Sequence, residues 1–95
     1  MINFKLPIND YSVKKFQKQT RRRKPIDYDI EVYVSLFLSG RKLVDFSDVA
    51  KEIIKLLIKS RFVEKKKYIY KLDIEHWKKE RGGEERMEIE IIETE

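Results

Sequence analysis

Ninety-five residues suffice for one domain with a modest core, so residues 1–95 read as a single unit for which oligomerisation is a reasonable expectation. Cysteine is absent and His76 is the one histidine, which excludes disulfide frameworks, thiolate zinc sites and cysteine nucleophiles and leaves a Ser-His dyad unsupported. The net charge of +5 conceals an asymmetry: Met1–Lys24 holds eight Lys/Arg against Asp10, whereas Glu84–Glu95 holds six acids against Arg86. No apolar run approaches a membrane span and the N-terminus carries no signal-peptide pattern, so the expectation is an intracellular, cytoplasmic protein with no membrane role.

In chain order, "INFKL" alternates with Ile2, Phe4 and Leu6 on one side, a short strand ended by Pro7. "NDYSVKKFQKQT" predicts a short helix capped by Asn9 or Asp10, with Val13 and Phe16 facing inward. "RRRKP" is a basic connector in which Pro25 pushes Lys24 out of the α region. From Ile26 to Leu38 the alternation is long, with the even positions apolar, and predicts a central antiparallel strand buried on one side.

Phe46, Val49, Ala50, Ile53, Ile54 and Leu57 then recur at helical spacing and mark the main amphipathic helix. "FVEKKKY" turns the chain back, and Tyr68, Tyr70, Leu72, Ile74 and His76 alternate in a further strand. "KKERGGEER" reads as a hairpin connection to a last strand carrying Met87, Ile89 and Ile91. The expected fold is α+β, ordered β-α-β-α-β-β, with helices on one face of a mixed four-stranded sheet.

The basic quarter is the main binding signal. Arg21, Arg22, Arg23 and Lys24, with Lys14, Lys15 and Lys18, have few compensating acids before Asp27 and point to a polyanion such as DNA. Arg41 and Lys42 extend that surface beside Asp45 if the connector folds over their loop, and Lys65, Lys66 and Lys67 form a second basic edge. Surface charge of the kind found in thermophiles is the plain alternative. Asp45 and Asp48 have an ordinary role as N-cap and first-turn acid of the main helix, and Lys51 sits on its solvated face. The tyrosines suit packing better than base stacking. Tyr33, Phe37 and Trp77 lie on the second side of the sheet, where another subunit would cover them.

"IEVYVSLFLSGRKLVD", "DFSDVAK", "FVEKK" and "GGEERMEIEIIE" together resemble, in order, the strand, acidic core, later acidic turn and final hairpin of RusA-like Holliday-junction resolvases, with "INFKLP" as the opening strand. The family's core is D-x-D-N-x-x-K. Asp45 matches its first aspartate and Lys51 its lysine, but Ser47 stands at the second aspartate and Asp48 at the asparagine. Lys65 and Lys66 replace the later aspartates, with Glu64 the nearest acid. The resemblance implies a RusA-like fold, a homodimer and Mg²⁺-dependent junction cleavage. Asp45 and Asp48 would hold Mg²⁺ with help from Glu64, while Lys51 would stabilise phosphate charge. The composition also resembles small proteins of viruses of hyperthermophilic archaea.

Fewer carboxylates mean weaker metal binding. The sequence therefore favours binding of structured or double-stranded DNA, with cleavage weak or lost. Two alternatives stay open: an active Mg²⁺-dependent junction endonuclease with rearranged carboxylates, and a protein-interaction subunit with no nucleic-acid role.

Overall fold

In the computed structural model of the chain, residues 2–20, 24–40 and 44–94 are described. The elements run β1 (Ile2–Pro7), α1 (Val13–Gln19), β2 (Ile30–Leu38), α2 (Phe46–Lys59), a 3₁₀ turn at Lys66–Tyr68, β3 (Ile69–Lys78) and β4 (Arg86–Glu93). This is the β-α-β-α-β-β order of an α+β fold with a mixed four-stranded sheet and two helices.

The spatial strand order is β1-β4-β2-β3. β4 pairs antiparallel with both β1 and β2, while β3 lies parallel to β2 on its other side. β2 is thus central but not wholly antiparallel. The expected hairpin is also absent: β3 and β4 are separated by β2, and the glycine-bearing connection crosses over it. Two inter-strand spacings amount to about 10 Å, a distance that the connection between Lys78 and Arg86 covers readily.

Alternation explains the core. Phe4 and Leu6 of β1, Val32, Val34, Leu36 and Leu38 of β2, and Met87, Ile89 and Ile91 of β4 form one apolar face. Val49, Ile53, Leu56 and Leu57 of α2 and Phe16 of α1 belong to the same buried cluster. Phe4, Phe16 and Phe62 meet at one end of it, with ring centroids 4.5–5.7 Å apart; edge-on and tilted arrangements of this kind favour ring electrostatics.

Three boundaries differ from the sequence reading. Ser12, not Asn9 or Asp10, caps α1, its side chain accepting from the Lys15 amide. Asp10 instead accepts from the Ser12 amide and pairs with Lys15, while Asn9 takes a left-handed turn at φ 58°. Ile26 lies outside β2 and bridges to Val63 alone, because the chain reaches the sheet at Ile30. In β3 the register slips between Ile69 and Lys71, so Tyr70 stands in a bulge and is 74% exposed rather than packed.

Candidate nucleic-acid interface

The two helices run side by side in the same sense. At their N-terminal ends, Tyr11 and Asn9 share a cleft with Asp45, Asp48 and Glu52 of α2. At their C-terminal ends, the Gln17 side-chain amide donates to the Ser60 carbonyl at 3.2 Å, and Thr20 lies beside Arg61 and Phe62. The sequence dictates this pairing through Phe16 and Phe62, whose burial ties α1 to the turn after α2.

That turn has a defined geometry. The Arg61 amide donates to the Ile58 carbonyl and the Phe62 amide to the Leu57 carbonyl, the two bonds of a Schellman motif. The motif puts Arg61 in the left-handed region, φ 60°, a position glycine usually fills. The Ile26 amide then donates to the Phe62 carbonyl, and the Glu64 amide donates to the Ile26 carbonyl. Two residues upstream of Ile26 is Lys24.

The consequence is electrostatic. Lys18 and Lys24 come together with the basic run at 59–67, distant in sequence, at one end of the molecule. Among the described residues this end presents Lys18, Lys24, Lys59, Arg61, Lys65, Lys66 and Lys67, all exposed, with Asp27, Asp29, Glu64 and Glu93 as the acids beside them. Helix-dipole compensation accounts for Lys18 and Lys59, the cations in the last turns of α1 and α2. It does not account for the rest. Arg21, Arg22 and Arg23 lie outside the described residues, but the chain on either side of them, at Thr20 and Lys24, belongs to this end.

The remaining sequence candidates fall elsewhere. Lys14 is exposed on α1. Lys15 is engaged with Asp10, whose carboxyl it holds below the ordinary range, chiefly through their hydrogen bond. Arg41 and Lys42 lie outside the described residues. The expected approach of the basic connector to their loop likewise falls on residues outside the described ones.

Asp45 is the N-cap of α2, one carboxylate oxygen accepting from the Ser47 amide at 2.9 Å and the Asp48 amide at 3.2 Å. Asp48 and Lys51 are exposed on the first turns. Glu64 lies beyond the other end of α2, whose fourteen residues put about 21 Å between the two ends. Asp45, Asp48 and Glu64 therefore do not fit a shared Mg²⁺ site. Among the described residues, no three His, Cys, Asp or Glu side chains are grouped to hold a metal ion.

The acid that does accompany Asp45 and Asp48 is Glu52. The three line a cleft of about 360 Å³ floored by Leu36, Leu38, Val44 and Val49. Burial, followed by the nearby Glu52 charge, raises the pKa of the Tyr11 phenol there. Glu52 was legible in the sequence, since 45, 48 and 52 share a face at helical spacing; Tyr11 was not, because its approach depends on how α1 docks. Among the described residues the charged lining of the cleft is acidic, in contrast to the exposed cations at the other end of α2.

The outer face of the sheet is no better suited to a polyanion. It carries Glu31, Asp73, Glu75, Glu88 and Glu90 against Lys5, Lys71 and Arg86. Arg86 is engaged with Glu80 and Glu88 and stacks over Phe37 at 4.2 Å, while Lys71 lies over the Tyr33 ring. No helix among the described residues is long and apolar enough to cross a membrane. A scan against protein-family models matches none, and no curated protein matches the chain.

Proposed function

We propose that this chain binds nucleic acid, with structured or double-stranded DNA as the ligand, through the basic end that carries Lys18, Lys24 and the turn after α2. The observation that carries the proposal is the convergence of Lys18 and Lys24 with the basic run at 59–67, some forty residues away in sequence, on one end of the fold. Surface charge spread for solubility has no need of such convergence. Phosphate contacts release counterions, and a cluster of this size engaging about five phosphates gives a salt slope near −4.5.

The element order β-α-β-α-β-β supports a divergent RusA-like reading of the fold. Junction cleavage is weak or lost in this reading, because the cations that would hold the backbone and the carboxylates that would act on it stand at opposite ends of α2. Fluorescence anisotropy with a duplex and a four-way junction, at several salt concentrations and with Mg²⁺ or chelator, tests it. Tight, steeply salt-dependent binding without nicking is the expected result. Symmetric Mg²⁺-dependent nicks lost on Asp45→Asn would support an active endonuclease instead, and salt-insensitive or absent binding would leave neither nucleic-acid reading standing.

A further inference from the structure

The sheet's two edges are treated differently. On β1, the Lys5 amide donates to the Gln19 Oε1 at 3.0 Å, and the Gln19 Nε2 donates back to the Lys5 carbonyl at 2.7 Å. That reciprocal pair imitates a ladder partner. With Pro7 at the strand's end and α1 alongside, it closes the edge.

β3, the other edge, is the longest strand, and among the described residues it is paired on the β2 side alone. Beyond the Tyr70 bulge, its stretch 71–78 is regular and offers outward N–H and C=O groups at alternate residues. Leu72 and Ile74, in register with the core residues Val32 and Val34, are half-buried at the border of the helix-covered face. Asp73 and Glu75 are exposed on the opposite face, with Lys71 before them turned over the Tyr33 ring of β2. Trp77 stands beside them, 51% exposed, its indole N–H donating to Glu75.

A second copy is a poor occupant. Antiparallel pairing of β3 with itself keeps like faces together, and the two longest such registers oppose acids. One sets Asp73 against Glu75 twice, and the other sets Glu75 against its own symmetry mate. Between Lys71 and Lys78 the middle of the edge is acidic at Asp73 and Glu75 and calls for cations there, and its other face calls for apolar cover.

We propose that the free edge of β3 takes up an extended segment of a partner protein by strand addition, one that alternates Lys or Arg with apolar β-branched residues. The basic side chains lie over Asp73 and Glu75, the apolar ones extend the cover of Leu72 and Ile74, and main-chain bonds supply the remainder. This surface is separate from the basic end, so its fate does not depend on the nucleic-acid reading.

The test uses the full chain and an octapeptide alternating Lys and Val, with a second octapeptide carrying Glu in place of each Lys. Amide hydrogen exchange of residues 71–78 and Trp77 fluorescence report binding. The Lys peptide is expected to slow exchange along β3 and to bind at least about fivefold tighter than the Glu peptide, as two cross-strand charge pairs imply. In the doubly substituted Asp73→Lys/Glu75→Lys chain, both positions being exposed, the preference is expected to reverse. Unchanged β3 exchange with millimolar Lys peptide overturns the proposal. So does equal binding of both peptides, or protection of β3 that rises with protein concentration alone.

Discussion

Arg61→Gly separates what the turn after α2 needs for stability from what it presents to a ligand. Arg61 occupies the C′ position of the Schellman motif with φ 60°. An L side chain in that region costs about 1–2 kcal/mol, of which glycine recovers part while adding freedom to the unfolded chain. A net gain of about 0.5–1 kcal/mol follows, or roughly 2–8 °C in Tm for a chain of this size. The same substitution removes one cation from the basic end. Thermal unfolding by circular dichroism and DNA affinity across a salt series should therefore move in opposite senses: Tm up, affinity down, and the salt slope shallower by about 0.9. A lowered Tm would refute the backbone argument. An unchanged slope would place Arg61 outside the interface.

Other substitutions probe the rest of the account. Asp45→Ala removes a helix cap and should destabilise by about 1 kcal/mol, whereas Asp45→Asn keeps the acceptor and should leave chemical denaturation nearly unchanged. Addition of Mg²⁺ should not shift the Tm of the unsubstituted chain, since Asp45, Asp48 and Glu64 form no shared site. Gln19→Ala opens the β1 edge and removes both of its bonds to Lys5; a loss of about 1 kcal/mol and faster exchange of the Lys5 amide are expected. The Lys15 hydrogen bond holds the Asp10 carboxyl below its ordinary value. Its contribution is therefore present above the unfolded-state pKa of about 3.9 and is lost as pH falls through the lower folded value. Lys15→Met should flatten the acid side of the stability profile, measured by denaturant unfolding between about pH 5 and pH 2.

Element types were legible because periodicity is local. The even positions of 30–38 and the helical spacing from Val49 to Leu57 state which face is buried without reference to any neighbour. What escaped depends on neighbours. The glycine-bearing connection has the composition of a hairpin, yet β4 pairs with β2 and β1, because the spare apolar face of Met87, Ile89 and Ile91 completes the core between them. The alternation through Tyr70 broke at a bulge that composition does not announce. For the site, the basic runs were visible as runs, but their meeting rests on the Ile26–Phe62 and Gln17–Ser60 hydrogen bonds. The acidic trio was half-read: Asp45 and Asp48 stood out by resemblance, whereas Glu52 lay one turn on and Glu64 proved to sit past the opposite end of the helix.

The central claim is that nucleic acid meets the end of the fold where Lys18 and Lys24 converge with 59–67, and stays away from the carboxylates at the start of α2. Backbone amide shifts recorded during titration with a short DNA duplex at low salt test this most directly. The account predicts perturbations concentrated at Lys18, Lys24, Lys59, Arg61 and Lys65–Lys67, reversed by added salt, with Asp45, Asp48 and Glu52 unmoved. Perturbations centred on Asp45–Glu52, or none at any DNA concentration, would contradict it.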